Sequence, residues 1–104
     1  CHFTAGEGAA NIFPVLDGNS LVNAEDPSGL IHVILAGSRM PSTDKAPEDL
    51  AMPGFGWRLS DAEAATLVTF LRQAWNNNAA AVTAADVANV RKDIPADVLN
   101  ASAP

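Results

Sequence analysis

The sequence predicts an all-α domain with long loops between its helices, and three observations carry that prediction. Ser60-Asp61-Ala62-Glu63 opens a run in which apolar residues recur at helical spacing. Asp26-Pro27 opens an earlier run that closes on Gly37, and Thr83 with Asp86 opens a later one. Between these runs, prolines, glycines and polar residues cluster and interrupt any regular period.

In chain order, Cys1 to Gly8 reads as the end of a short helix broken by Gly6 and Gly8. Asn11 to Asn19 has no clear period. Its apolar residues lie between Pro14 and Gly18, which suits an ordered loop packed on something flat. Asp26 is then placed as N-cap and Pro27 as the first helical residue, where a missing N–H costs nothing. Leu30, Ile31, Ile34 and Leu35 form one apolar face, and Gly37 suits the stop. His32 lies off that face and reads as an exposed or partly covered helix histidine. Ser38 to Leu50 reads as a loop, because its polarity and its two prolines, Pro41 and Pro47, oppose regular structure.

The strongest local signal follows. Ser60 caps a helix, Glu63 reaches back to it, and acids occupy the first turn, where they complement the helix dipole. Ala64, Leu67, Val68, Leu71 and Trp75 make the packing face. Arg72 stands in the last turn, and Asn76-Asn77-Asn78 ends the helix. Trp75 reads as a core residue rather than an electron relay. Ala79 to Val82 is a short linker. Thr83 and Asp86 cap a further short helix carrying Val87 and Val90 and ending at Arg91-Lys92. Asp93 to Pro104 is expected to be a loose surface tail.

The 104 residues make one domain. Hydrophobic residues are 48% of the chain, but twenty of them are alanine, so large apolar side chains are scarce. A domain with so modest a core gains from a staple, and a flat apolar cofactor would supply one. The net charge is −6, with Arg39, Lys45, Arg58, Arg72, Arg91 and Lys92 scattered, which argues against nucleic acid or anionic lipid as partner. The sequence holds no apolar run of the roughly eighteen residues a membrane-spanning helix needs. A lone cysteine makes no internal disulfide. A Gly-rich phosphate loop, a zinc-spaced Cys/His set and a Ser/His/Asp triad are all missing from the pattern.

Two stretches point to a metal cofactor. Cys1-His2 puts a thiol beside an imidazole and matches the last two letters of C-x-x-C-H, the haem c attachment signature. Ala51-Met52-Pro53-Gly54-Phe55-Gly56-Trp57 carries a loop thioether that no helical stripe needs. An imidazole ligand usually donates its other N–H to an acceptor that orients it, and the Pro14 carbonyl is the candidate here, an ordinary packed loop being the alternative. Met40 is the rival to Met52. Met52 is favoured because it lies just before the capped helix, flanked by Phe55 and Trp57, which can wall a haem. Arg39 has two readings, a partner for an anionic group such as a haem propionate or a solvated surface arginine.

With Cys1-His2, Phe13-Pro14-x-Leu16-x-Gly18-Asn19, Met52-Pro53-x-Phe55 and Leu59-Ser60-Asp61-x-Glu63 in order, the chain resembles a class I cytochrome c domain. More closely, it resembles the C-terminal haem domain of multi-haem cytochrome subunits that serve bacterial alcohol, gluconate and aldehyde dehydrogenases. Arg72-x-x-Trp75-x-Asn77, Val82-Thr83-x-x-Asp86-Val87 and Val90-Arg91-Lys92 extend the likeness over essentially the whole chain. The chain departs from the family pattern in the first attaching cysteine. The expectation is that the sequence starts late and lacks that cysteine and the N-terminal part of the first helix.

The resemblance implies a cytochrome c-like helical fold wrapped around one haem c. It implies Cys1 as thioether attachment, His2 as proximal iron ligand and Met52 as distal ligand. Pro14, Leu16, Arg39, Phe55 and Trp57 would be further cofactor contacts, with the Trp57 indole able to reach a propionate. Met/His ligation raises the potential and leaves no open iron position, which implies electron transfer rather than oxygen chemistry. The domain would be an electron carrier within an oxidoreductase complex, not itself an enzyme. It would take electrons from a dehydrogenase subunit or a neighbouring haem and pass them to a haem, quinone or terminal oxidase. The expected compartment is the periplasm, with membrane association supplied by other parts. Two other readings stand beside it: a haem-free helical interaction module, and a haem sensor or peroxidase domain with an open iron site.

Overall fold

The computed structural model of the chain describes residues 1–10, 12–40 and 50–104. Residues 41–49 of the loop expected over 38–50 lie outside the described residues, as does the side chain of Met40. The described helices are α1 (Ser28–Ala36), α2 (Asp61–Gln73), α3 (Ala84–Arg91) and α4 (Ala96–Leu99). Two short strands, β1 (Ser38–Met40) and β2 (Leu50–Met52), complete the described elements.

α2 forms where its cap predicts. The Ser60 hydroxyl accepts from the Glu63 N–H at 3.1 Å, and the Glu63 carboxylate accepts from the Ser60 N–H at 2.9 Å. Two donors that a helix start leaves orphaned are thereby satisfied. α3 repeats the device with Thr83 and Asp86. α1 begins beside Asp26, whose carboxylate accepts from the Ser28 N–H at 2.9 Å, and ends at Gly37, whose N–H bonds the Val33 carbonyl at 2.8 Å.

The core lies where α1, α2 and α3 meet. Leu30, Ile31, Ile34 and Leu35 of α1 pack against Ala64, Ala65 and Val68 of α2 and Val87 of α3, closed by Val22, Val82 and Ile94. Each large aliphatic side chain so buried contributes roughly 1.5–3 kcal/mol. The buried face of α2 is turned from the expected one: it runs through Ala64, Ala65, Val68 and Arg72, and Leu67 is left exposed. Two alanines side by side let the helices approach closely, so the larger Leu67 lies at the edge. Trp75 is half-buried rather than central, in a left-handed conformation with φ 54°.

Three further expectations change. Residues 1–8 carry no helix: Phe3 and Gly6 take positive φ, and the chain turns with the Gly6 N–H on the Phe3 carbonyl at 3.1 Å. The ends of the expected 38–50 loop are paired, antiparallel, with Ser38 opposite Met52 and Arg39 opposite Ala51. Backbone hydrogen bonding alone suffices for so short a ladder, which needs no alternating pattern. Residues 93–104 lie at the surface but are anchored by buried Ile94, by Leu99 packed on the core, and by the Ser102 hydroxyl, which accepts from the Gly54 N–H at 3.2 Å.

Candidate cofactor site

The N-terminal segment has little regular structure, so its shape is held by discrete hydrogen bonds. Ala9 and Phe13 exchange a pair of backbone bonds, each 2.9 Å, and the Gly6 carbonyl accepts from Leu16 at 2.7 Å and Asp17 at 3.1 Å. This folds the Phe13-Pro14 corner back towards His2, whose Nδ1 lies 2.8 Å from the Pro14 carbonyl. A carbonyl can only accept, so the proton of the neutral ring stands on Nδ1. The lone pair is then on Nε2, the atom left for a metal.

Asn77 locks the same segment from below. It is 5% exposed, and its amide makes four bonds. Its oxygen accepts from the Gly18 N–H at 2.7 Å and from Asn23 at 2.8 Å, and its nitrogen donates to the carbonyls of Leu16 at 3.1 Å and Leu71 at 2.8 Å. Three of the four bonds join the segment after α2 to residues 16–23, and the fourth ties it back to α2 itself. Arg72, 2% exposed, does likewise one strand of chain further on, donating to the carbonyls of Val22, Ala24 and Ala80.

Met52 is placed by the opposite wall. The Phe55 and Gly56 N–H groups cap the last carbonyls of α1, bonding Ile34 at 2.8 Å and Leu35 at 3.0 Å. The approach is so close that a Cβ on Gly54 would lie 2.7 Å from the Leu35 carbonyl oxygen. Only glycine allows the backbone to press this tightly on the helix end. The loop is thereby fixed, and β2 ends with Met52 facing the same space as His2.

That space is a cavity of about 360 Å³. Cys1, His2, Ile12, Phe13, Pro14 and Leu16 line it from the N-terminal segment, and Asn19, Leu21 and Val22 continue that wall. Leu30, Val33 and Ile34 come from α1, Ser38, Ala51, Met52 and Pro53 from the strands and the loop after them, and Leu71 from α2. The lining is almost wholly apolar, yet it contains one imidazole with a directed lone pair, one thioether and one free, exposed thiol. Nitrogen and soft sulfur donors in a large apolar slot suit an iron porphyrin attached through sulfur.

Of the residues marked from the sequence, Cys1, His2, Pro14, Leu16 and Met52 come together at this cavity. Phe55, Trp57 and Arg39 are not among its lining residues. The Trp57 indole N–H donates within its own loop, to the Gly54 carbonyl at 3.1 Å, and Arg39 is exposed on β1 opposite Ala51. His32 is exposed on α1, away from the site. The buried roles of Arg72 and Asn77 carry no signal in the sequence, because most of their partners lie some 50 to 60 residues away.

Residues 1–75 match the cytochrome c family model. The chain belongs to the cytochrome c family. The cytochrome c subunit of the quinone alcohol dehydrogenase of Gluconobacter oxydans (strain 621H) is 44% identical over 92 residues, covering 88% of this chain and 19% of that protein. The gluconate 2-dehydrogenase cytochrome c subunit of Pantoea cypripedii is 43% identical over 95 residues, covering 89% and 22%. An alcohol dehydrogenase (quinone) cytochrome c subunit from Gluconacetobacter polyoxogenes is 44% identical over 92 residues, covering 88% and 20%. The chain spans about a fifth of the length of these curated relatives. The cytochrome c domain therefore takes haem c, covalently bound and holding iron, and its work is haem-based electron transfer.

Proposed function

We propose that this cytochrome c domain relays single electrons with His2 and Met52 as the axial iron ligands and Cys1 as a thioether anchor. The observation that carries the reading is that His2, its Nε2 lone pair left free by the bond to Pro14, and Met52 line one apolar cavity. When bound, haem c supplies a ferric/ferrous couple whose potential Met/His ligation raises. Pro14 orients the imidazole. The Phe55 and Gly56 bonds to α1 hold the thioether segment. Val22, Leu30, Ile34 and Leu71 keep water out of the slot. With His2 and Met52 both holding the iron, the group would suit passing electrons rather than binding oxygen.

Residues 1–104 form one haem domain of an electron-carrying subunit. By likeness to the alcohol and gluconate dehydrogenase subunits, its electrons come from a dehydrogenase partner or a neighbouring haem, in the periplasm. The acceptor is another haem, a quinone or a terminal oxidase.

The test is a visible spectrum, oxidised and reduced, with acid–acetone extraction. Haem that stays on the protein, with a far-red sulfur-to-iron band lost in Met52→Ala and kept in Met40→Ala, is the expected result. The reverse pattern would overturn the ligand assignment. A colourless protein would point to a haem-free module, and rapid carbon monoxide binding to an open iron site.

A further inference from the structure

We propose that Arg72 helps set the reduction potential of the bound haem, its buried guanidinium favouring the ferrous state. The inference rests on the cavity being the haem site.

Arg72 is 2% exposed, and charged side chains are almost never so buried without a partner of opposite charge. Its partners are neutral. Nε donates to the Ala80 carbonyl at 2.8 Å, and one terminal nitrogen donates to Val22 at 3.2 Å and Ala24 at 2.7 Å. The Arg91 guanidinium, by contrast, pairs with the Asp61 carboxylate at 2.7 Å. The three carbonyls take up the N–H groups of Nε and one terminal nitrogen and temper the field, but they do not cancel a full charge. Arginine keeps that charge in folded proteins.

The location gives the charge its effect. Leu71, next to Arg72 in α2, and Val22, whose carbonyl it binds, both line the cavity. The guanidinium is therefore bonded to a residue of the cavity wall while itself 2% exposed, where solvent and salt screen it weakly. Ferric haem carries one more positive charge than ferrous haem, so a fixed cation there disfavours the oxidised form. The other described cations act weakly by comparison: Arg39, Arg58 and Lys92 are exposed, and Arg91 is paired. In a chain of net charge −6, Arg72 works against the prevailing field.

The test is the midpoint potential of the haem-loaded protein in two variants, with urea unfolding alongside. Arg72→Met keeps the length and removes the charge. Arg72→Lys loses the planar fork and keeps the charge at the acid end of a series from about pH 5 to 8, where a buried ammonium stays protonated, so its potential is read there. Both should unfold at lower urea. Arg72→Met should shift the ferric/ferrous equilibrium about tenfold towards ferric, a drop of about 59 mV for one electron. Arg72→Lys should stay close to the parent. An unchanged potential in Arg72→Met, or an equal fall in both variants, would overturn the proposal. If Arg72→Met does not accumulate, Arg72→Lys decides: a retained potential supports the charge account, and a lowered one overturns it. Should neither variant fold, exposed Ala80→Asp, beside the intact guanidinium, should lower the potential more than the equally exposed Ala101→Asp; equal effects would overturn the proposal. A parent protein without haem bands would instead sink the haem-site reading beneath it.

Discussion

Residues 60–99 and residues 1–24 solve the folding problem in opposite ways. The first stretch is made of helices whose caps lie three residues from the groups they satisfy, Ser60 with Glu63 and Thr83 with Asp86. The second has no helix or strand among its described residues, only an isolated bridge between Ala9 and Phe13. It is held from a distance: the Trp75 indole donates to the Thr4 carbonyl at 2.9 Å, Asn76 bonds the Asp17 carboxylate at 3.1 Å, and Asn77 and Arg72 grip residues 16–24. It also leaves Phe3, Ile12, Val15 and Leu21 exposed, each more than 40%. One half carries its own instructions; the other is shaped by the first half and by what fills the cavity.

The largest expected effect breaks the two halves apart. In protein produced without haem, amides of residues 2–24 should exchange faster by on the order of a hundredfold, while α2 stays protected. Hydrogen exchange on loaded and unloaded protein measures this. Equal loss of protection in both regions would show that they fold as one unit.

A smaller effect cuts the joint between them. Asn77→Ala removes four hydrogen bonds from a nearly buried site and should cost about 2–3 kcal/mol in urea unfolding. The loosening should appear first in residues 16–23. If α3 loosens equally, Asn77 supports the whole fold rather than the joint.

The smallest effect lies within the self-sufficient half. Bonds from the Ser60 backbone N–H and then the Ser60 side chain hold the Glu63 carboxyl below its ordinary value. A folded pKa that is depressed adds stability above the unfolded pKa, and that stability is lost as pH falls through the folded one. The acid limb of the stability curve should therefore be slightly flatter in Glu63→Gln. An unchanged limb would mean that the cap is fully screened by solvent.

How legible each part was follows from the same contrast. The α2 and α3 caps and the α1 face were readable because cause and effect lie within one or two helical turns. Cys1, His2, Pro14 and Met52 were marked by chemistry and by likeness to a family, since no local pattern brings residue 2 near residue 52. Arg72 looked like an ordinary cation completing a helix end, and Asn77 like a stop signal. Their acceptors are mostly main-chain carbonyls, which look alike at every position and leave no trace in residue type. The 38–52 pairing was hidden for the same reason. Phe55 and Trp57 looked like cavity walls because they are aromatic and adjacent to Met52, but the loop turns the Trp57 indole back on its own backbone.

The bond from Trp75 to Thr4 spans 71 residues, and those from Asn77 and Arg72 span about 50 to 60. Each closes a long stretch of chain into a ring, at an entropic cost that must be met before the contact contributes anything. The helices between need no such closure and can form early. The segment bearing Cys1 and His2 is thus expected to settle last, leaving its thiol open to chemistry in solution while the rest of the molecule takes shape.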